Sequence, residues 1–297
     1  MRRRDIGGLL AGLLAPLAGG TTPQKNGGDP PDPFEAIEAR VRGRLGVAVF
    51  DAATGRVEGW RLDERFPMCS TFKWLLAATV LQRVDAGRED LERRVVFGRD
   101  ALLAHAPVCE KRVGGAGMSV AELCEAAVTV SDNAAANLLL AAVGGPSAVT
   151  QCARSLGDDR TRLDRTEPSL NESTPGDPRD TSTPRAMSVA LRSALLGDGL
   201  SPAARVQLAA WMTATSTGAH RLRAGLPADW RIGDKTGTGD RGSTNDVAVC
   251  WPPRRAPVVV VAYLTECASP MSAREAALAD AGRAAARLLA PALIRAQ

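Results

Sequence analysis

The chain has 297 residues, 45% hydrophobic and 24% charged, which suits a soluble globular protein with one or two domains around a sizeable core. A formal charge of +4, no long basic run and 4% aromatic residues give a nucleic-acid partner no compositional support. Arginine outnumbers lysine 33 to 4, a bias with no physical requirement behind it, so each retained lysine (Lys25, Lys73, Lys111, Lys235) is informative.

Met1-Arg2-Arg3-Arg4, an apolar stretch over Gly7 to Leu17 and the small residues Ala18-Gly19-Gly20 read as an export signal over 1–20. The paired arginines raise the twin-arginine route. The apolar stretch is too short to span a bilayer, and Gly7, Gly8 and Gly12 would make a poor surface helix, the alternative reading. Export to the periplasm or the medium is therefore expected, with no stable membrane partner. Residues 21–33, rich in Pro, Gly and Asp, read as a linker.

From there the spacing predicts a helix over 34–43, then a β-hairpin from Leu45–Phe50 and Val57–Leu62 around the turn at Asp51 to Gly55. A helix is predicted over 70–86, with Leu75, Leu76, Thr79, Val80 and Val84 on one side and Gly87 as its stop. Further helices are expected over 119–130, 133–142, 147–156, 183–196 and 201–215, several opening on Ser, Thr or Asn caps. Between them, 158–180 carries Pro168, Pro175 and Pro178 without apolar periodicity and reads as a long loop, a length usually functional or disordered. Strands return at 230–238, 244–251 and 258–264, and a last helix covers 272–289. Strands at both ends of a helical middle predict an α+β fold of two lobes. One lobe, 34–65 with 216–297, is an antiparallel sheet flanked by the N- and C-terminal helices; the other, 66–215, is all helical and carries the 158–180 loop. A cleft between them is a natural ligand site.

Three motifs carry chemistry. In Ser70-Thr71-Phe72-Lys73, helical i, i+3 spacing sets Lys73 beside the Ser70 hydroxyl, which needs a base to become a nucleophile. The Ser70 N–H and an extended Thr238 could form an oxyanion hole. Alone, the pair is equally a capping serine with a solvated lysine. In Ser131-Asp132-Asn133, in the company of the first motif, Ser131 would relay a proton to a leaving nitrogen and Asn133 would bind a substrate amide. In Lys235-Thr236-Gly237, the first two would hold a carboxylate and Gly237 would let the substrate approach closely. Two neighbouring lysines should depress the pKa of Lys73, as a base requires.

This S-x-x-K, S-D-N, K-T-G series, together with Glu167-Pro168-Ser169-Leu170-Asn171 in the long loop, resembles the class A serine β-lactamases from about Phe34 to the last helix. The resemblance implies a β-lactamase/transpeptidase-like fold and hydrolysis of the β-lactam amide of penicillins and cephalosporins through a serine acyl-enzyme, which confers antibiotic resistance. It implies Ser70 as nucleophile, Lys73 as proton shuttle, Ser131 as proton donor to the ring nitrogen, Glu167 as hydrolytic base and Asn171 as water ligand. Acylation is started by either Lys73 or Glu167, which the resemblance leaves open. Lys235, Thr236 and Thr238 would bind the substrate carboxylate, backed by Arg221, fourteen residues before Lys235, while Thr244 stands where other members carry the alternative arginine. His105 stands at the position of an aromatic gate residue, and His220 receives no role. Arg165 with Asp177 or Asp180 would pin the loop. A monomer acting on small β-lactams without cofactor or metal is expected, since His105 and His220 are the only histidines and no zinc-ligand motif occurs.

The chain also departs from that family. Cys124 matches one half of a common disulfide, but its partner position is Ala77; Cys69 matches a half-cystine of carbapenem-hydrolysing members, but its partner position is Gly239. With no simple pairing, buried free thiols are the expectation for most of Cys69, Cys109, Cys124, Cys152, Cys250 and Cys267. Two rival readings share the acylating machinery: a penicillin-binding DD-peptidase, and a non-hydrolytic β-lactam sensor domain. Glu167 and Asn171 argue against the first, and the absence of a spanning segment against the second.

Overall fold

The structure is a computed structural model that describes residues 32–294. The export signal and nearly all of the expected linker lie outside the described residues. In chain order the elements are α1 (Pro33–Val41), β1 (Arg44–Asp51), β2 (Val57–Trp60), β3 (Phe66–Pro67), α2 (Phe72–Asp85), β4 (Arg94–Val95), β5 (Met118–Ser119) and α3 (Val120–Thr129). There follow α4 (Asn133–Val143), α5 (Pro146–Ser155), β6 (Thr181–Ser182), α6 (Pro184–Leu196), α7 (Pro202–Thr213), α8 (Leu222–Gly225), β7 (Arg231–Thr238), β8 (Thr244–Trp251), β9 (Val258–Thr265) and α9 (Met271–Ile294).

The main sheet runs β2-β1-β9-β8-β7, antiparallel throughout, so the first and last parts of the chain meet where β1 pairs with β9. Successive β9 residues point to opposite faces, and both faces are covered. Val258, Val260, Ala262 and Leu264 pack with α1, α8 and α9, whereas Val259, Val261 and Tyr263 join the helical side. This two-sided burial explains the unbroken apolar run of β9.

Most helices open as their caps predict. Ser119 accepts from Glu122 N–H in a capping box, and Asp32, Asp132, Thr183 and Ser201 cap α1, α4, α6 and α7. The helix at Ser70 differs from expectation in two ways. It enters through a single 3₁₀ turn, Cys69–Thr71, before α2 begins at Phe72, and it is apolar all round, with every residue from Phe72 to Leu81 buried. A helix without a polar face must run through the middle of a lobe, and α2 is enclosed by α3, α4, α5 and α7. The 158–180 segment is a loop apart from one 3₁₀ turn, Ser169–Asn171.

Candidate active site

Ser70 sits on the 3₁₀ turn where β7 passes the start of α2. The preceding Cys69 takes left-handed backbone angles, φ 47°, and the turn is held from three directions. Met68 N–H donates to Asp180 O at 2.9 Å, Thr71 Oγ1 to Met68 O at 2.8 Å, and Asn245 Nδ2 from β8 to Pro67 O and Met68 O at 2.8 and 3.1 Å. At Gly237 the structure adds a reason of its own: a Cβ there would lie 2.7 Å from Met68 O and 3.1 Å from Thr71 N. The glycine lets the strand close on the serine turn.

Lys73 lies one turn further and is fully buried. Its Nζ is 2.9 Å from Glu167 Oε1, and it donates to Ser131 O at 2.9 Å, Ser131 Oγ at 3.4 Å and Asn133 Oδ1 at 2.6 Å. The Ser70 hydroxyl donates to Glu167 Oε1 at 3.3 Å, so its hydrogen-bond partner is Glu167, where spacing alone suggests Lys73. One carboxylate oxygen thus serves nucleophile and lysine together. Burial is the largest force on Lys73 and pushes its pKa down, with Glu167 and Asp132 opposing. The cause expected from sequence, a second lysine, operates instead on Lys235, whose pKa burial and then the charge of Lys73 push well down.

The loop presenting Glu167 is clamped by α4. Asn137 donates from Nδ2 to Glu167 O at 2.9 Å and accepts from Glu167 N–H at 3.0 Å. Asn171 Nδ2 donates to Glu167 Oε2 at 2.5 Å, while Asn171 Oδ1 is a buried acceptor with no hydrogen-bond partner among the described residues. Of the two candidate partners for Arg165, the structure selects Asp180, at 2.6 Å, and adds Glu172 at 2.6 Å; Asp177 pairs with Arg179. Asp180 also accepts from the N–H groups of Asp164 and Arg165.

At the other end, Lys235 Nζ, also fully buried, donates to Ser131 Oγ at 3.1 Å and Thr236 O at 2.8 Å. Ser131 Oγ therefore stands between two lysines. Arg221 spreads its guanidinium over Gly237 O at 2.8 Å, Asn245 O at 2.9 Å and Thr238 Oγ1 at 2.8 Å. The Thr236 and Thr217 hydroxyls are 2.6 Å apart. Asp132, buried in the middle of its motif, accepts from Val108, Cys109 and Ala135 N–H and so ties the 105–109 segment to α4.

A cleft of about 320 Å³ opens over these groups. Its walls include Ser70, His105, Ser131, Asn133, Asn171, Arg221, Thr236, Gly237 and Thr238, and the three buried residues Lys73, Glu167 and Lys235 bond to its lining from behind. His105 stands on this wall with its ring Nε2 against Val130 O at 2.9 Å. Asn133 does more than face a ligand: Oδ1 holds Lys73, and Nδ2 donates to Ala104 O at 3.0 Å. Thr217, Asn137 and Asn245 were not anticipated. Asn137 had a signal, as the one polar side chain in Ala134-Ala135-Ala136-Asn137-Leu138-Leu139-Leu140 and i+4 from Asn133; Thr217 and Asn245 had none.

With this geometry established, comparison places the chain among known proteins. A model of the β-lactamase enzyme family matches residues 32–289. The chain is similar to β-lactamase CTX-M-97 of Escherichia coli, 47% identical over 250 residues covering 84% of this chain and 86% of that one. It is similar also to β-lactamase L2 of Stenotrophomonas maltophilia, 50% identical over 257 residues, 86% and 84% of the two chains. Among solved structures it resembles the class A β-lactamase of the last common ancestor of Gram-negative bacteria, with TM-score 0.85 and 61% identity over 86% of this chain and 97% of that one.

Proposed function

The chain belongs to the β-lactamase enzyme family, class A, and from that premise we propose that it opens the β-lactam amide of penicillins and cephalosporins on Ser70 and then hydrolyses the ester, thereby conferring resistance. The observation that carries the second step is Glu167, whose Oε1 is shared by Ser70 and Lys73 while Oε2 is held by Asn171.

In acylation Ser70 Oγ attacks the ring carbonyl and its proton passes to Glu167 Oε1, the acceptor it already faces. Backbone N–H groups of Ser70 and Thr238 steady the negative oxygen. Lys73, in contact with both Glu167 and Ser131, gives a proton through Ser131 Oγ to the ring nitrogen as the C–N bond breaks and takes in its place the proton on Glu167 Oε1, which leaves Glu167 a carboxylate again. In deacylation Glu167 takes a proton from water, with the unpartnered Asn171 Oδ1 as a second acceptor for that water. The water oxygen bonds to the ester carbonyl carbon, the C–O bond to Ser70 breaks, and Ser70 Oγ takes back the proton from Glu167 Oε1. Lys235, Thr236, Thr238 and Arg221 hold the substrate carboxylate, and Thr217 orients the Thr236 hydroxyl. We place the enzyme, acting as a monomer, outside the cytoplasm on the basis of the charged, apolar and small residues of 1–20.

The test is incubation of purified protein with a molar excess of a penicillin and of a cephalosporin, following ring absorbance and intact mass. Many turnovers per enzyme are expected. A stoichiometric adduct on Ser70 with no turnover would return the DD-peptidase or sensor reading.

A further inference from the structure

Two aspartates that this chemistry does not use lie beneath the carboxylate end of the cleft. Asp234 and Asp246 are fully buried on β7 and β8. The register sets Asp234 opposite Ala248 and Thr236 opposite Asp246, which makes the two carboxyls diagonal neighbours on one face of the sheet. Lys235 points to the other face.

Half of each carboxyl is accounted for. Asp234 Oδ1 takes the Arg223 guanidinium, with Nε at 3.1 Å, and Asp246 Oδ2 accepts Leu222 N–H at 3.1 Å. Asp234 Oδ2 and Asp246 Oδ1 are buried with no hydrogen-bond partner among the described residues. Gly218 closes over Asp234 Oδ2 so tightly that a Cβ there would collide with it. Two ionised carboxylates with idle oxygens in one buried place are costly. A single proton turns one idle acceptor into a donor for the other.

We propose that Asp234 and Asp246 share one proton between Oδ2 and Oδ1, so that the pair carries a single negative charge and leaves the neighbouring pocket one net positive charge for an anionic substrate. The second half of this inference rests on the function proposed above; the first does not.

The surroundings support it. Burial pushes both carboxyls upward, and the charge of Asp234 adds to the rise at Asp246. The charged and titratable groups facing the pair are Arg223 from α8, Arg221 just before it and Cys250 on β8, while the charge of Lys235 acts from the other face of β7. From α9, Glu275 meets Arg221 and Arg274 meets Thr244, while β9 sets Ala262 opposite Asp246. Around the pocket floor the positive groups are Arg221, Arg223 and Lys235, and the negative ones are Asp234, Asp246 and Glu275. Fully ionised, that set is neutral; with one proton held by the pair it is positive by one charge.

Neutron diffraction from crystals of the perdeuterated full chain at pH 7 is expected to show one deuteron between Asp234 Oδ2 and Asp246 Oδ1. Two bare carboxylates, each bonded to water, would overturn the proposal. The second measurement is KM for a penicillin against salt concentration with Asp246→Asn, which keeps the size and the charge of a protonated pair. KM within about twofold of the parent protein, with the same salt dependence, is expected. If both aspartates are ionised, the same substitution adds a positive charge and lowers KM by about three- to tenfold at low salt, which overturns the shared proton. Failure of the parent protein to hydrolyse any β-lactam would remove the proposed function but leave the neutron result standing on its own.

Discussion

Replacing Glu167 with Gln should separate the two halves of the reaction. Gln keeps the side-chain length and an oxygen able to accept from Ser70 Oγ, 3.3 Å away in the parent protein, but it takes no proton from water. A positioned general base contributes about 10²- to 10⁴-fold, so deacylation should fall by that factor, roughly 3 to 5.5 kcal/mol of barrier. Acylation has a second route. Lys73 is fully buried, and Glu167, 2.9 Å from its Nζ, is the main group holding its proton on against burial. Once the carboxylate becomes an amide, the neutral amine is favoured and can itself accept the Ser70 proton. Rapid mixing with a penicillin, quenching in acid and intact-mass measurement should reveal an adduct of the whole drug on Ser70, formed quickly and lasting for minutes. Turnover within about tenfold of the parent without an adduct would refute Glu167 as hydrolytic base. Neither turnover nor adduct would refute the second acylation route through Lys73.

Arg221→Ala removes donors from the Gly237 and Asn245 carbonyls and from Thr238 Oγ1, and hydrogen bonds to charged groups are worth about 1.5–3 kcal/mol. KM for carboxylate-bearing substrates should rise about 10- to 100-fold with a smaller effect on kcat, and unchanged steady-state kinetics would sink the assignment. Asp180→Asn weakens the clamp on Arg165; allowing for the partial exposure of that arginine, about 1–3 kcal/mol is lost, a fall in Tm of roughly 2–12 °C by calorimetry. A Tm shift smaller than the roughly 2 °C that about 1 kcal/mol would produce would show that the loop is held elsewhere. All six thiols are unpaired and buried, with burial pushing Cys69 and Cys109 up to about 12 and Cys152 up to about 11. An aromatic disulfide reagent should therefore find no fast-reacting thiol in the native protein and six in denaturant without reductant; fewer than six would mean that a disulfide has formed.

The sheet was legible because its signals are local. The apolar run of β9, the turn between β1 and β2 and the caps of α3, α6 and α7 each lie within a few neighbouring residues. The motifs were legible because their residue types are scarce in combination. What escaped was set through space. Nothing near Gly237 says that Met68 O will lie where its Cβ would be, since 169 residues separate them in the chain, the difference between their two numbers. The partner of Ser70 Oγ is hidden for a similar reason: helical spacing reports that Lys73 shares a face with it, but cannot report that a loop about a hundred residues later delivers a carboxylate between the two. The full burial of α2 was written in Phe72-Lys73-Trp74-Leu75-Leu76-Ala77-Ala78, but the periodicity of Leu75, Leu76, Thr79, Val80 and Val84 marks only a single apolar side. Lys73 is buried because the site needs it there, and the packing around the helix follows from its apolar neighbours.

The scarcity of lysine has a chemical meaning at this site. Among 33 arginines and 4 lysines, Lys73 and Lys235 are fully buried behind the cleft wall, whereas Lys111 is exposed. Arginine keeps its proton under any condition a folded protein meets, so it cannot shuttle one. Lys73, squeezed by burial toward the neutral form and steadied by Glu167 toward the charged one, can. Lys235 must place a compact donor between Ser131 Oγ and Thr236 O in a space closed to solvent, where a planar five-donor fork would leave hydrogens unmet. Arg221 does the opposite, reaching two carbonyls and a hydroxyl at once, and only a rigid fork spans all three. The kind of cation at each of these positions is thus decided by whether the position must move a proton, fill a narrow space or bridge several acceptors.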